Sequence, residues 1–112
     1  MDENCLFCKI VKGEIPSEKV GEGADWLAFK DINAQAPTHA LVIPKKHIAN
    51  VKECNDKEQL GSLFQAACLV ADEQKLDNGF RLVVNTGEDG GQTVFHLHIH
   101  ILGGRPLSWP PG

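Results

Sequence analysis

The chain has 112 residues, a net charge of −4, and 42% hydrophobic against 23% charged residues, a balance that fits one soluble domain spanning residues 1–112 around a single core. No apolar run approaches the roughly 20 residues of a membrane span, and no basic stripe replaces counterions on a polynucleotide, so membrane and nucleic acid are not expected partners. The acidic start, Met1-Asp2-Glu3-Asn4, lacks the positive region of a secretory signal, and a cytoplasmic location is expected.

The segment from Cys5 to Lys12 has room for about two helical turns before Gly13 and Pro16 end them. Cys5 and Cys8 form a Cys-x-x-Cys, which in a reducing compartment reads as a metal or redox pair rather than a disulfide. Strands are expected at Lys19–Gly21, Trp26–Lys30 and His39–Ile43, each bounded by turn residues. A long helix follows, because Leu60, Leu63, Phe64, Ala67, Val70 and Ala71 recur at helical spacing. Asn55 and Glu58 are placed for a capping box before it, and Asp77-Asn78-Gly79 for its stop. Cys68, inside this pattern, reads as a small buried apolar residue. Two further strands, Phe80–Asn85 and Val94–Leu102, complete an α+β pattern with a mainly antiparallel sheet.

The last of these strands carries the chemistry. Side chains alternate along a strand, so His96, His98 and His100 share one face and Phe95, Leu97, Ile99 and Ile101 the other. The apolar face suits packing under the long helix. His96 and His100 would lie about 13 Å apart, too far for one ion to gather all three rings with bonds of about 2 Å. Two of them with outside ligands can hold a metal, leaving at least one for other work. Neutral imidazole, abundant near pH 7, attacks phosphorus directly once its other nitrogen is held as a donor. The middle residue, His98, is flanked on both sides and is the best-placed nucleophile.

A phosphate would need donors nearby. The stretch from Gly87 through Gly91 to Thr93 immediately precedes the histidines, and glycines allow backbone N–H groups to approach an anion. Thr93 adds a hydroxyl, and Asn85 an amide from the adjacent strand.

The run His96-Leu97-His98-Ile99-His100-Ile101-Leu102 matches the histidine triad (HIT) superfamily pattern of histidines alternating with apolar residues. The chain most resembles the Hint branch, the histidine triad nucleotide-binding proteins. That resemblance also rests on Gly13–Ser17, Leu27–Ile32, Gln35–His39, Leu41–His47, Gly90–Thr93, Leu102–Pro106 and Trp109–Gly112. It implies a five-stranded sheet with one long and one short helix, and a homodimer whose sheets join into ten strands. It implies hydrolysis of purine nucleoside phosphoramidates, with His98 as nucleophile and His100 and Asn85 binding the phosphate. Thr93 stands where serine is usual, and the hydroxyl is kept. His39 matches a histidine supporting the active-site network, and Asp31 a carboxylate that accepts the ribose hydroxyls. Leu6, Phe7, Ile10, Phe29, Ile32 and Leu41 resemble the wall of the base pocket. The Cys-x-x-Cys is similar to bacterial members in which it joins two histidines, here His47 and His96, around a structural zinc. A dinucleoside polyphosphate hydrolase of the same superfamily, and a nucleotide-sensing or scaffold module, are the competing functional classes.

Overall fold

A computed structural model describes residues 3–112. The short helix α1 (Leu6–Val11) is followed by strands β1 (Lys19–Glu22), β2 (Trp26–Lys30) and β3 (Thr38–Pro44). A 3-10 turn (Val51–Glu53), the long helix α2 (Lys57–Glu73) and strands β4 (Phe80–Val83) and β5 (Ile99–Gly103) complete the chain. The sheet runs β1-β2-β3-β5-β4, and every neighbouring pair is antiparallel. The α+β fold and its five strands are those expected.

The two faces of the sheet are filled differently. Ala28, Ala40, Val42, Ile99 and Ile101 point to one face, where Leu63, Ala66, Ala67, Val70 and Ala71 of α2 cover them. Small residues on both sides let the helix approach closely, as the density of a protein interior demands. The opposite face carries Leu27, Phe29, Leu41 and Ile43, packed against Phe7, Cys8 and Ile10 of α1. With both faces covered, β2 and β3 read as nearly continuous apolar runs. Where α1 stops, this second face opens into a cavity.

Several local expectations are corrected. The N-cap of α2 is Asp56, not Asn55; its carboxylate accepts from Glu58 N–H at 3.0 Å and Gln59 N–H at 3.4 Å, so the cap lies one residue later than the capping-box pattern suggests. The helix ends at Glu73, ahead of Asp77-Asn78-Gly79. Leu76 N–H returns to Ala71 O and Lys75 N–H to Asp72 O, both at 3.0 Å, a Schellman closure with Lys75 in the left-handed region at φ 61°. Lysine in place of the usual glycine hides that stop from the sequence. Cys68 is exposed, and Phe64 is 40% exposed. Cys68 sits five residues after buried Leu63, a rotation of about 140° that carries it off the packed face.

The largest correction concerns the histidine segment. β4 ends at Val83 rather than Asn85, and β5 begins at Ile99 rather than Val94. Residues 94–98 run as irregular chain, tied by Leu97 N–H to Ile48 O at 2.6 Å. Leu97 is buried as expected, but Phe95 is 62% exposed, because strand alternation has not yet begun where it stands.

Candidate active site and metal centre

A cavity of about 490 Å³ opens between α1, the ends of β2 and β3, and the chain entering β5. Leu6, Phe7 and Ile10 of α1 line one wall. Phe29 and Leu41 line the floor, with Asp31 and Ile32 at the exit of β2. His39, Asn85, Gly91, Thr93, His98 and His100 supply the polar side. The twelve residues expected around a nucleotide, and His39 expected to support them, therefore all line one space. Ile32 is fully exposed and Leu6 is 45% exposed, so these two form the lip of the cavity rather than part of a closed wall.

The hydrogen bonds assign each ring nitrogen a role. His98 Nδ1 lies 2.7 Å from the carbonyl oxygen of His96. Only a protonated nitrogen can meet a carbonyl there, so Nδ1–H donates and Nε2 keeps a free lone pair. His39 Nδ1 accepts from Gln35 N–H at 3.0 Å, which puts the His39 proton on Nε2. That nitrogen lies 2.9 Å from His100 Nδ1 and donates to it, leaving His100 with an N–H at Nε2. A chain of fixed tautomers thus runs from the Gln35 backbone to His100.

Burial keeps His39 and His100 neutral. Desolvation lowers the pKa of His39, against a smaller opposing pull from Asp31. His100 is pushed down to about 4, chiefly by burial, then by His98 and His39. Asp31 Oδ2 is 3.4 Å from His39 Nε2, and with His39 neutral this is a contact between a dipole and a carboxylate, not an ion pair. Asp31, His39 and His100 lie close enough to be considered as a metal triad. The Gln35 N–H bond to Nδ1 requires a proton on His39 Nε2, the nitrogen a metal would need, so the relay and that metal site exclude each other.

The loop before the histidines is braced from within. Gln92, only 6% exposed, accepts from Gly87 N–H at 3.0 Å and donates to Ala49 O at 2.8 Å and Val94 O at 3.1 Å. Gly91 adopts φ 79°, and a Cβ at Gly90 would collide with the Thr86 carbonyl oxygen. Both positions therefore require glycine. Sequence reasoning assigned no function to Gln92 or to Gln35. A long amide side chain directly after the Gly90-Gly91 pair is the one sequence feature that marks the first; the second acts through its backbone, which no side-chain pattern reveals.

Behind the cavity, Cys5, Cys8, His47 and His96 converge, with all four ligand atoms within 4.8 Å of one another. His96 Nε2 is 2.8 Å from Pro44 O and donates to it. This turns Nδ1 toward Cys5 Sγ at 3.3 Å and Cys8 Sγ at 3.5 Å. His47 Nδ1 lies 3.3 Å from Cys8 Sγ. Zinc bonds of about 2.3 Å to sulfur and 2.0–2.1 Å to nitrogen set a tetrahedral S···N edge of about 3.5 Å, so the donor set is suited to zinc. The Pro44 carbonyl supplies the outer contact that orients a ligating imidazole. Four protein ligands fill a tetrahedron, so a zinc held here has no open position for substrate.

An imidazole with a free Nε2 lone pair, facing a cavity lined by Gly91, Thr93 and the Asp31 carboxylate, has the makings of a hydrolase site with a nitrogen nucleophile. The chain belongs to the HIT domain family, whose model matches residues 12–107. It is 51% identical over 114 residues to an uncharacterised HIT-like protein of Synechococcus elongatus, covering both chains completely. It is 46% identical over 115 residues to the 14 kDa zinc-binding protein of Zea mays, covering 99% of this chain and 90% of that one. The crystal structure of a HIT family hydrolase from Legionella pneumophila matches with a TM-score of 0.94 and 52% identity, covering 97% of this chain and all of that one. No helix among the described residues is long and apolar enough to cross a membrane.

Proposed function

We propose that this chain is a nucleoside phosphoramidase of the Hint branch, a single HIT domain over residues 1–112 that cleaves purine nucleoside 5′-monophosphates linked through nitrogen to an amine. The observation that carries this reading is the 2.7 Å bond from His98 Nδ1–H to the His96 carbonyl, which leaves Nε2 as the nucleophile. Nε2 attacks phosphorus and forms a P–N bond as the substrate P–N bond breaks; the amine takes a proton from solvent as it departs, and the water that attacks in the next step returns one. Water then attacks the same phosphorus, breaks the bond to Nε2 and releases the nucleoside monophosphate. Two inversions give net retention at phosphorus.

The other groups have matching tasks. His100 Nε2–H, Asn85, Gly91 and Thr93 bind the phosphoryl oxygens, which gain charge in the transition state. Thr93 also stands next to the leaving amine. Asp31 accepts the ribose hydroxyls; its Oδ1 already accepts Asn33 N–H at 2.9 Å, and a carboxylate keeps capacity for further donors. Leu6, Phe7, Ile10, Phe29, Ile32 and Leu41 enclose the base. Zinc at Cys5, Cys8, His47 and His96 holds structure and takes no part in bond making.

The chain acts as a homodimer in this reading. β4 is a free sheet edge, Phe64, Leu69 and Phe80 lie exposed on α2 and β4, and Trp109 is 81% exposed in the tail; an unpaired edge beside apolar surface invites a second copy. The reduced thiols of the metal centre suit a cytoplasmic protein.

Turnover of adenosine phosphoramidate, measured against diadenosine polyphosphates, tests the substrate class. Wild type should prefer the phosphoramidate, and His98→Ala should bind adenosine monophosphate while losing nearly all turnover. Preference for the polyphosphate would move the chain to the competing branch, and full activity in His98→Ala would remove His98 as nucleophile.

A further inference from the structure

The helix that carries two metal ligands also carries the wall of the cavity. Cys5 caps α1, its Sγ accepting Cys8 N–H at 3.4 Å. Between and just beyond the two thiols lie Leu6, Phe7 and Ile10, all lining the cavity. A helix of six residues is far below the roughly 12–15 needed for stability on its own, so its position depends on what fastens it. Phe7 extends from the metal side to the reactive side: its buried ring meets His96 at 5.9 Å, His98 at 5.2 Å and Phe29 at 5.5 Å, all edge to face. His96 forms a second link. Its ring belongs to the metal centre, and its carbonyl sets the tautomer of His98.

We propose that metal occupancy of the Cys5–Cys8–His47–His96 centre and nucleotide binding in the cavity are thermodynamically coupled, with Phe7 as the positioning residue that connects them. The inference rests on reading the cavity as a nucleotide site. The metal orders α1 and seats Phe7 between the base wall and His98; a bound nucleoside monophosphate packs against the same wall and holds α1 over the metal. Coupling between two ligands is reciprocal, so each tightens the other by one common factor.

The test uses the full, zinc-loaded chain. Zinc is titrated away with a chromogenic chelator, with and without saturating adenosine monophosphate, and nucleotide affinity is measured separately on loaded and stripped protein. The nucleotide should raise apparent zinc affinity by roughly 5- to 20-fold, within the usual range of allosteric coupling, and stripping should weaken nucleotide binding by the same factor. Phe7→Leu, which keeps all four ligands, should retain zinc but lose most of this protection even at saturating nucleotide. A chelator titration that nucleotide leaves unmoved overturns the coupling. Protection in Phe7→Leu equal to wild type overturns Phe7 as its carrier; general stabilisation of the fold by ligand would give that result. Equal nucleotide affinity in loaded and stripped protein refutes the coupling alone, whereas no nucleotide binding to loaded wild type refutes it together with the nucleotide reading.

Discussion

Replacing His39 by leucine removes two hydrogen bonds while nearly conserving volume, and the structure separates their consequences. Gln35 N–H loses its acceptor, but Gln35 is exposed and water can replace the bond at little cost. His100 Nδ1 loses its donor in a half-buried setting, where an unsatisfied polar atom costs about 1–3 kcal/mol. A destabilisation of about 1–2 kcal/mol is expected, or roughly 4–12 °C in melting temperature for a chain of this size. The catalytic loss has another origin. Without His39 the proton of His100 is free to move to Nδ1, and Nε2 then faces the phosphoryl oxygen with a lone pair. Losing a transition-state donor outright costs about 10²–10³ in rate. A donor present part of the time should cost less, roughly tenfold in kcat at little change in KM. His39→Gln, whose amide can still donate to His100 Nδ1, should recover much of the rate. The assay is steady-state hydrolysis of a fluorogenic adenosine phosphoramidate, with nitrogen-15 shifts of His100 reporting its tautomer. A leucine variant with unchanged kcat, or with His100 still protonated at Nε2, would refute the relay.

Three further outcomes are expected. Asp31→Ala should weaken a ribonucleotide by about 1.5–3 kcal/mol, the value of hydrogen bonds to a charged group, and its 2′,3′-dideoxy analogue far less; equal losses by calorimetry would place Asp31 outside ribose recognition. Acid should destabilise the fold in a definite window, since His39 and His100 titrate lower in the folded chain than in the unfolded one. The unfolded chain takes up protons first, so stability is full above about pH 6.5 and falls toward pH 4; His100→Gln should flatten urea midpoints across that interval, and an unchanged slope would contradict the assignment. Elemental analysis should find about one zinc per chain, and Cys5→Ala with Cys8→Ala should abolish it and lower the melting temperature, because metal binding and folding are coupled; wild-type stability in the metal-free double variant would refute a structural zinc.

Much of the fold was legible because its signals are periodic. The α2 stripe follows from helix geometry, and Leu63, Ala67, Val70 and Ala71 fall on the observed core although Phe64 does not; β2 and β3 stood out as short apolar runs between turn residues, and both form strands. What escaped was set by single positions or by the backbone. Asp56 outcompeted Asn55 as cap, Lys75 took a conformation usually left to glycine, and Phe95 fell outside the strand whose pattern it continued. The site residues were legible as a cluster, from three histidines, a glycine-rich loop and a paired-cysteine spacing. Their division of labour was not, since it depends on which carbonyl or amide each ring nitrogen meets. Pro44 O, His96 O and Gln35 N–H make those choices, and none is a side-chain feature.

The late start of β5 bears directly on the chemistry. In a regular strand the carbonyl of residue i−2 lies in the sheet plane and serves the ladder, while the ring of residue i stands out of that plane. Had the strand begun at Val94, as alternation suggests, the His96 carbonyl would face a neighbouring strand and not the ring two residues on. The irregular path through residues 94–98 frees that carbonyl to accept His98 Nδ1–H. It also lets His96 sink to full burial beside the thiols, while His100, the only one of the three inside the ladder, pairs opposite Leu41 and faces the cavity. Three histidines at alternating positions thus reach three different surroundings, one against sulfur, one against a carbonyl and one against a neutral imidazole. In the proposed reaction, the break in the strand is what separates ligand, nucleophile and donor within five residues.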